Sequence, residues 1–494
     1  MRITAVTIKG LEEVLEQELR DLGAQDIEIM HRAVGFHGDQ ELLYKANFWL
    51  RTAIRVLVPI HEFRVTDEED LYDKVFALPW DEYMDIKQTF SIDAVVSSHQ
   101  FTHSKYIALK TKDALVDKWR KLEGRRPDVN TLTPDVKIHV RIYNSEVTIS
   151  LDSSSDSLHR RGYRTHSVPA PINEVLAAGM ILLSGWDKKT TFLDPMCGSG
   201  TIAMEALTLA AGRPPQDKDR RFGFKQWKDF DSDLWDQVTD VDVDYSDLPK
   251  IIARDRGLRP LKATEMNIGH LDWLDYITVE KSDFFKSQQS DEKYHIVMNP
   301  PYDERLKERD ITQFYQYIGD TLKSAYAGSE AWIIAGHEDA LKSIGLRASR
   351  RISLMNGPIP SKFCKFEMYR GTRKIKDKDK AKAKEEAYNR EQEESKNTRK
   401  EERRNSSDHR DSKRDFNQKR NERSWEKRNR EDNSSDNDRN KTSDRRTNRN
   451  SDNWSKKDIG SKNEKDKEQN DEKWDEIIEK SNDKDRGSAF DIPW

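Results

Sequence analysis

Apolar residues recur along the first 60 positions with two periods. Leu11, Val14, Leu15, Leu19 and Leu22 fall on one face at helical spacing, and Gly10 and Gly23 bracket the segment. The whole stretch reads as strand, helix, strand, strand, helix, strand, a small α+β unit that we bound at residues 1–43. A second mixed unit, bounded at residues 44–155, carries a β-patterned run at 89–96 and a helix around 108–122. It ends in paired strands at 136–143 and 146–152 that turn at Asn144-Ser145. After Pro169 strands and helices alternate, which predicts a parallel sheet covered on both faces. Its strands are expected at 191–193, 251–254, 277–281, 295–298 and 331–335, with a closing hairpin at 351–355 and 363–369 turning at Asn356-Gly-Pro358.

Composition changes the picture at one end. Of the 494 residues 36% are charged and 34% hydrophobic, too polar for globular packing throughout. The last 124 residues hold 36 Lys and Arg against 32 Asp and Glu with few aliphatics, so residues 372–494 are expected to be a disordered mixed-charge tail. That leaves 50 basic and 58 acidic residues before it, a net charge of −8, so any nucleic-acid footprint must be a local patch. The best local candidate is Leu158-His-Arg-Arg-Gly-Tyr-Arg164, where Arg160, Arg161 and Arg164 sit in a linker, residues 156–168, between two units. Its position favours phosphate contact over a merely solvated linker.

Only Cys197 and Cys364 occur, which excludes a disulfide framework and a cysteine zinc site; no metal is expected. The first residues lack the apolar core of a signal peptide and no stretch approaches a membrane span, so a cytoplasmic protein without membrane partners is expected.

Four motifs carry chemistry. Phe192-Leu-Asp-Pro-Met-Cys-Gly-Ser-Gly-Thr201 reads as strand, glycine turn and helix, a turn that brings backbone amides close to a ligand at a strand's carboxyl end. Only Gly198 and Gly200 are present and Asp194 stands at the strand tip. A carboxylate there repels pyrophosphate but suits the cationic end of S-adenosylmethionine. Asp255, ending the next strand, is placed to accept ribose hydroxyls. Asp283, after the strand at 277–281, is placed to accept from an adenine amine while Phe284 offers an apolar face. Asn299-Pro-Pro-Tyr302 follows an apolar strand, and its prolines remove backbone donors and leave acceptors. The Asn299 side-chain oxygen and the Pro300 carbonyl can each accept one hydrogen of an exocyclic amine, with Pro301 stiffening the turn and Tyr302 stacking on the target base. Seven strands with an antiparallel last pair fit a methyltransferase sheet better than a dinucleotide dehydrogenase sheet.

These motifs, together with Lys9-Gly-Leu-Glu12, Leu43-Tyr-Lys-Ala-Asn47, Leu50-Arg-Thr-Ala53 and the Arg221-Phe-Gly-Phe-Lys-Gln-Trp227 insertion, resemble the bacterial 23S ribosomal RNA guanine-N2 methyltransferases of the RlmL type. The resemblance covers residues 1–370. It implies an α/β fold: a Rossmann-like, seven-stranded class I methyltransferase domain at 169–371, preceded by a small ferredoxin-like α+β unit and a THUMP RNA-binding unit. It further implies S-adenosylmethionine as cofactor and 23S ribosomal RNA or its precursor as partner. By the same resemblance the cofactor positions carry over to Asp194, Gly198, Gly200, Asp255 and Asp283, and the target-amine positions to Asn299, Pro300, Pro301 and Tyr302. The family usually has glycine after the tyrosine, where this chain has Asp303. A second methyltransferase domain, present in some bacteria, is not expected where the charged tail lies; the tail is open to contact with RNA or assembly proteins. Rival readings are a transfer RNA guanine-N2 enzyme, an N-methyltransferase for protein glutamine or DNA adenine, and a non-catalytic ribosome-assembly factor.

Overall fold

The computed structural model describes residues 1–301 and 308–370. Tyr302 and the expected tail at 372–494 therefore lie outside the described residues.

The N-terminal half is built on one sheet. In chain order it runs β1 (Arg2–Thr7), α1 (Glu12–Asp21), β2 (Gln25–Met30), β3 (Ala33–His37), α2 (Gln40–Trp49), β4 (Ala53–Arg64), α3 (Glu68–Ala77), α4 (Trp80–Tyr83), β5 (Phe90–Ser97), α5 (Ser104–Glu123), β6 (Val136–Tyr143) and β7 (Glu146–Asp152). The strand order is β2-β3-β1-β4-β7-β6-β5. The boundary expected at 43/44 falls inside α2, whose Leu42, Leu43, Tyr44, Ala46 and Phe48 join the core of the first unit. Twelve-residue β4 is the reason the two units are continuous: its first half pairs with β1 and its second with β7. The β4–β7 register shifts between Pro59 and His61, as expected where a proline removes a ladder donor.

The C-terminal half runs α6 (Glu174–Ser184), β8 (Thr191–Asp194), α7 (Thr201–Ala210), α8 (Ser232–Thr239), β9 (Ile251–Asp255), α9 (Leu258–Gly269), β10 (Ile277–Lys281), β11 (Tyr294–Met298), α10 (Glu308–Ala325), β12 (Glu330–Ala335), α11 (Glu338–Lys342), β13 (Arg350–Asn356) and β14 (Ile359–Glu367). Its sheet order is β10-β9-β8-β11-β12-β14-β13, parallel except where β14 pairs with β12 and β13. Central β11 is buried at every position, as a strand covered on both faces must be. The order reverses direction between β8 and β11, so the crevice beyond their carboxyl ends is the topological switch point where such sheets bind ligands.

The halves are joined by close packing. Phe222, Phe224 and Trp235, from the insertion between β8 and β9, enter the core of the first unit, where Phe224 stacks on Tyr44 at 4.5 Å. Gly223 permits this approach: a β-carbon there would lie 2.3 Å from the Asp152 carbonyl oxygen. Gly10 meets β13 in the same way, 2.3 Å from the Ser353 carbonyl oxygen.

Candidate active site at the sheet's carboxyl edge

Asp194, Asp255 and Asn299 end or follow β8, β9 and β11 respectively, parallel strands that lie side by side in the order β9-β8-β11, and so share one rim of the sheet. Leu193 lies opposite Ile296, which puts Asp194 level with Val297. Asn299 is two residues farther along, roughly 7 Å at the usual rise per strand residue.

Asp194 is completely buried. One carboxylate oxygen accepts only a long 3.4 Å bond from the Met196 amide, and the other has no partner. Burial pushes its carboxyl well above the usual range, and the neighbouring Asp255 charge adds to the shift. Cys197 is buried too, and its thiol is raised well above the usual value, chiefly by desolvation, so it is inert as a nucleophile.

The glycine turn after β8 is held by its neighbours. Gly198 and Gly200 have left-handed backbones, φ +56° and +83°. The Gly198 amide donates to one oxygen of Asp255 at 3.1 Å, and Gly257 donates to the other at 2.9 Å. Desolvation raises the Asp255 carboxyl, offset in part by these two bonds. Asp255 therefore braces the loop while keeping further lone pairs free for a ligand. At the tip of β10, Asp283 caps a short turn by accepting from the Phe285 amide at 3.1 Å.

Asn299 presents the second orphan. Its side-chain oxygen is buried and unpartnered, Pro300 is buried and Pro301 is exposed. Buried acceptors without partners are rare and costly. Two on one rim, one from a carboxylate and one from an amide, fit a ligand that brings N–H donors to both.

Three expectations are corrected. Phe284 is a core residue, stacked on Tyr326 at 5.8 Å, and offers no open face to an adenine. Arg161 is buried: it donates to the carbonyls of Leu158 and Arg51 and pairs with Glu205 at 3.4 Å. Arg164 pairs with Glu174 at 2.9 Å and donates to the Ile172 carbonyl. Both are engaged within the junction between the sheets; of the three arginines Arg160 alone is exposed, loosely facing Asp156 at 3.9 Å. Sequence reasoning missed the rest of this junction. Arg51 donates to Thr208 and Arg213, and Tyr163 donates to Glu205 at 2.6 Å. It also missed Thr264 and Asn267 of α9, fully buried polar residues at i, i+3 spacing among Leu261 and Ile268, a pattern that does mark buried contacts.

Among the described residues no His, Cys, Asp and Glu cluster is placed to hold a metal, and no helix is long and apolar enough to cross a membrane.

Sheet order, glycine turn and an acidic strand tip define the second half as a class I methyltransferase domain. The RMKL-like methyltransferase domain family matches residues 161–365, the THUMP domain family 65–152 and the RlmL ferredoxin-like domain family 2–57. A Synechocystis protein provisionally named RNA methyltransferase slr0064 is 35% identical over 370 residues, covering 74% of this chain and 96% of that protein. Ribosomal RNA large subunit methyltransferase K/L of Photobacterium profundum is 35% identical over 364 residues, 72% of this chain. The chain spans about half, 51%, of that relative's length. The crystal structure of the methyltransferase candidate SMU.472, complexed with SAH, superposes with a TM-score of 0.67 at 28% identity, covering 75% of this chain and 99% of that one. The chain belongs to the THUMP-containing, RlmL-type methyltransferase family.

Proposed function

We propose that this chain transfers a methyl group from S-adenosylmethionine to the exocyclic N2 amine of a guanine in 23S ribosomal RNA. The observation that carries the reading is the buried, unpartnered side-chain oxygen of Asn299, on the same rim as the unpartnered oxygen of Asp194. When bound, the cofactor supplies an electrophilic methyl on a sulfonium. Asp194 would accept from its ammonium group and Asp255 from its ribose hydroxyls. Gly198 and Gly200 would let backbone amides approach it, and Asp283 would accept from the adenine amine.

Asn299 and the Pro300 carbonyl would accept the two hydrogens of the target amine and fix its lone pair toward the donor. Positive charge develops on that nitrogen during transfer, so prearranged acceptors stabilise the transition state more than the ground state. No strong general base is required. Pro301 stiffens the turn, and Tyr302 is assigned to stack on the extruded base, worth roughly 1–3 kcal/mol. The N-terminal half would bring structured RNA to this rim, with Arg160 as an exposed contact.

The name of the large-subunit relatives supports ribosomal RNA over transfer RNA. Mass mapping of modified nucleosides in ribosomal and transfer RNA, with and without the gene, tests the assignment. Loss of one N2-methylguanosine from 23S ribosomal RNA is expected; loss confined to transfer RNA would contradict it.

A further inference from the structure

We infer that Asn267 is a positioning residue of the donor site: its buried amide staples the segment joining the two sheets onto the glycine loop and so sets donor affinity. The inference rests on the methyl-donor reading of this rim.

Asn267 sits on α9 and is fully buried. Its side-chain oxygen accepts from the Thr165 amide at 3.0 Å, the His166 amide at 2.8 Å and the Thr165 hydroxyl at 3.3 Å. Its nitrogen donates to the His166 carbonyl at 2.8 Å and to the Ser199 carbonyl at 3.1 Å. One amide thus ties two pieces of chain together, and both of its N–H groups are used. Thr165 and His166 are themselves exposed, so no core packing of their own holds them in place. Hydrogen bonds to Asn267 do.

Neighbouring contacts extend the staple. One turn earlier on α9, the Thr264 hydroxyl donates to the Gly198 carbonyl at 3.0 Å. The Thr264 methyl fills the space beside Gly200, 2.7 Å from where a β-carbon would be. On the other side Val168 approaches Gly198, 3.5 Å from an added β-carbon, and Arg164 donates to the Thr201 hydroxyl at 3.3 Å. Residues 164–168 therefore form a wall along the loop that presents Gly198 and Gly200.

That wall matters because glycine is the freest of backbones, and a loop with two left-handed glycines loses affinity to disorder unless something else fixes it. A fully satisfied buried amide specifies one arrangement. The loop's order is thereby made to depend on a segment that continues directly from the RNA-facing half.

Calorimetry on the full chain with S-adenosylhomocysteine, alongside affinity for ribosomal RNA and the thermal midpoint, tests this. Asn267→Ala should weaken S-adenosylhomocysteine at least about tenfold, while RNA affinity of the folded protein stays within about twofold of wild type. The isosteric Asn267→Asp retains the acceptors toward Thr165 and His166 but loses both donated bonds; it should fold and still weaken the ligand, and it decides the matter if the alanine variant does not fold. Wild-type affinity in the folded variants, or an equal loss of RNA affinity, would overturn the assignment. Absence of S-adenosylhomocysteine binding by the wild-type protein would instead overturn the donor reading beneath it.

Discussion

Replacing Asp194 with asparagine isolates the carboxylate's charge at nearly constant shape. In the wild-type protein this group is buried with one weak bond and one bare oxygen, which is why its carboxyl is held well above the ordinary 3.8. A ligand ammonium would give it the partner it lacks. A hydrogen bond involving a charged group contributes about 1.5–3 kcal/mol, and a tenfold change in affinity corresponds to about 1.4 kcal/mol, so the variant should bind S-adenosylhomocysteine roughly 10- to 150-fold more weakly.

Stability should move the other way. A native value above the unfolded one means that the wild-type contribution is fully present below 3.8 and is lost as pH rises through the native value. The asparagine variant has no such loss. Its melting temperature without ligand, relative to wild type, should therefore rise as pH is raised from 4 toward 8. Binding of S-adenosylhomocysteine to the variant within twofold of wild type would refute the idea that Asp194 receives a cation.

Two further outcomes follow from ion pairs away from the rim. Arg161→Met removes the cation paired with Glu205 at a site where the two side chains are 0% and 1% exposed, leaving Arg51 as the remaining buried cation beside it, and should cost about 3–5 kcal/mol in urea unfolding. A loss under about 1 kcal/mol, or a selective loss of RNA affinity at full stability, would return Arg161 to the role of a phosphate contact. Glu330 accepts from His295 and Lys365, which together outweigh desolvation and hold its carboxyl at about 2. Its contribution is present above 4.5 and lost as pH falls toward 2, so Glu330→Gln should lower stability at pH 7 but not at pH 2, read from acid-dependent melting.

The periodicity of the chain made most of the second sheet legible. The strand at 277–281 is observed with the bounds read from sequence, and the turn at Asn356-Gly-Pro358 is where β13 reverses into β14. The boundary between the first two units was not legible, because β4 serves both and a local pattern carries no sign of which strands it will pair with. The arginines show a similar limit. A basic cluster looks alike whether its partners are phosphates or carboxylates, and Glu174 and Glu205, which claim Arg164 and Arg161, come from helices farther along the chain. Phe284 failed for a related reason: an aromatic after a strand-end aspartate points to ligand or core depending on what packs above it, and here Tyr326 does. Asp194 and Asn299 were singled out by their order along the sheet and by the Asn299-Pro-Pro turn; that their side-chain oxygens lack partners is information that only the packing around them supplies.

Asn299 is proposed to hold a guanine amine toward the donor, and a single-turnover assay on unmodified 23S ribosomal RNA with labelled S-adenosylmethionine reads that role apart from binding. Asn299→Ala removes one of two transition-state acceptors and should slow methyl transfer by about 100- to 1,000-fold, with affinities for RNA and S-adenosylhomocysteine nearly unchanged. Transfer at the wild-type rate would rule that role out.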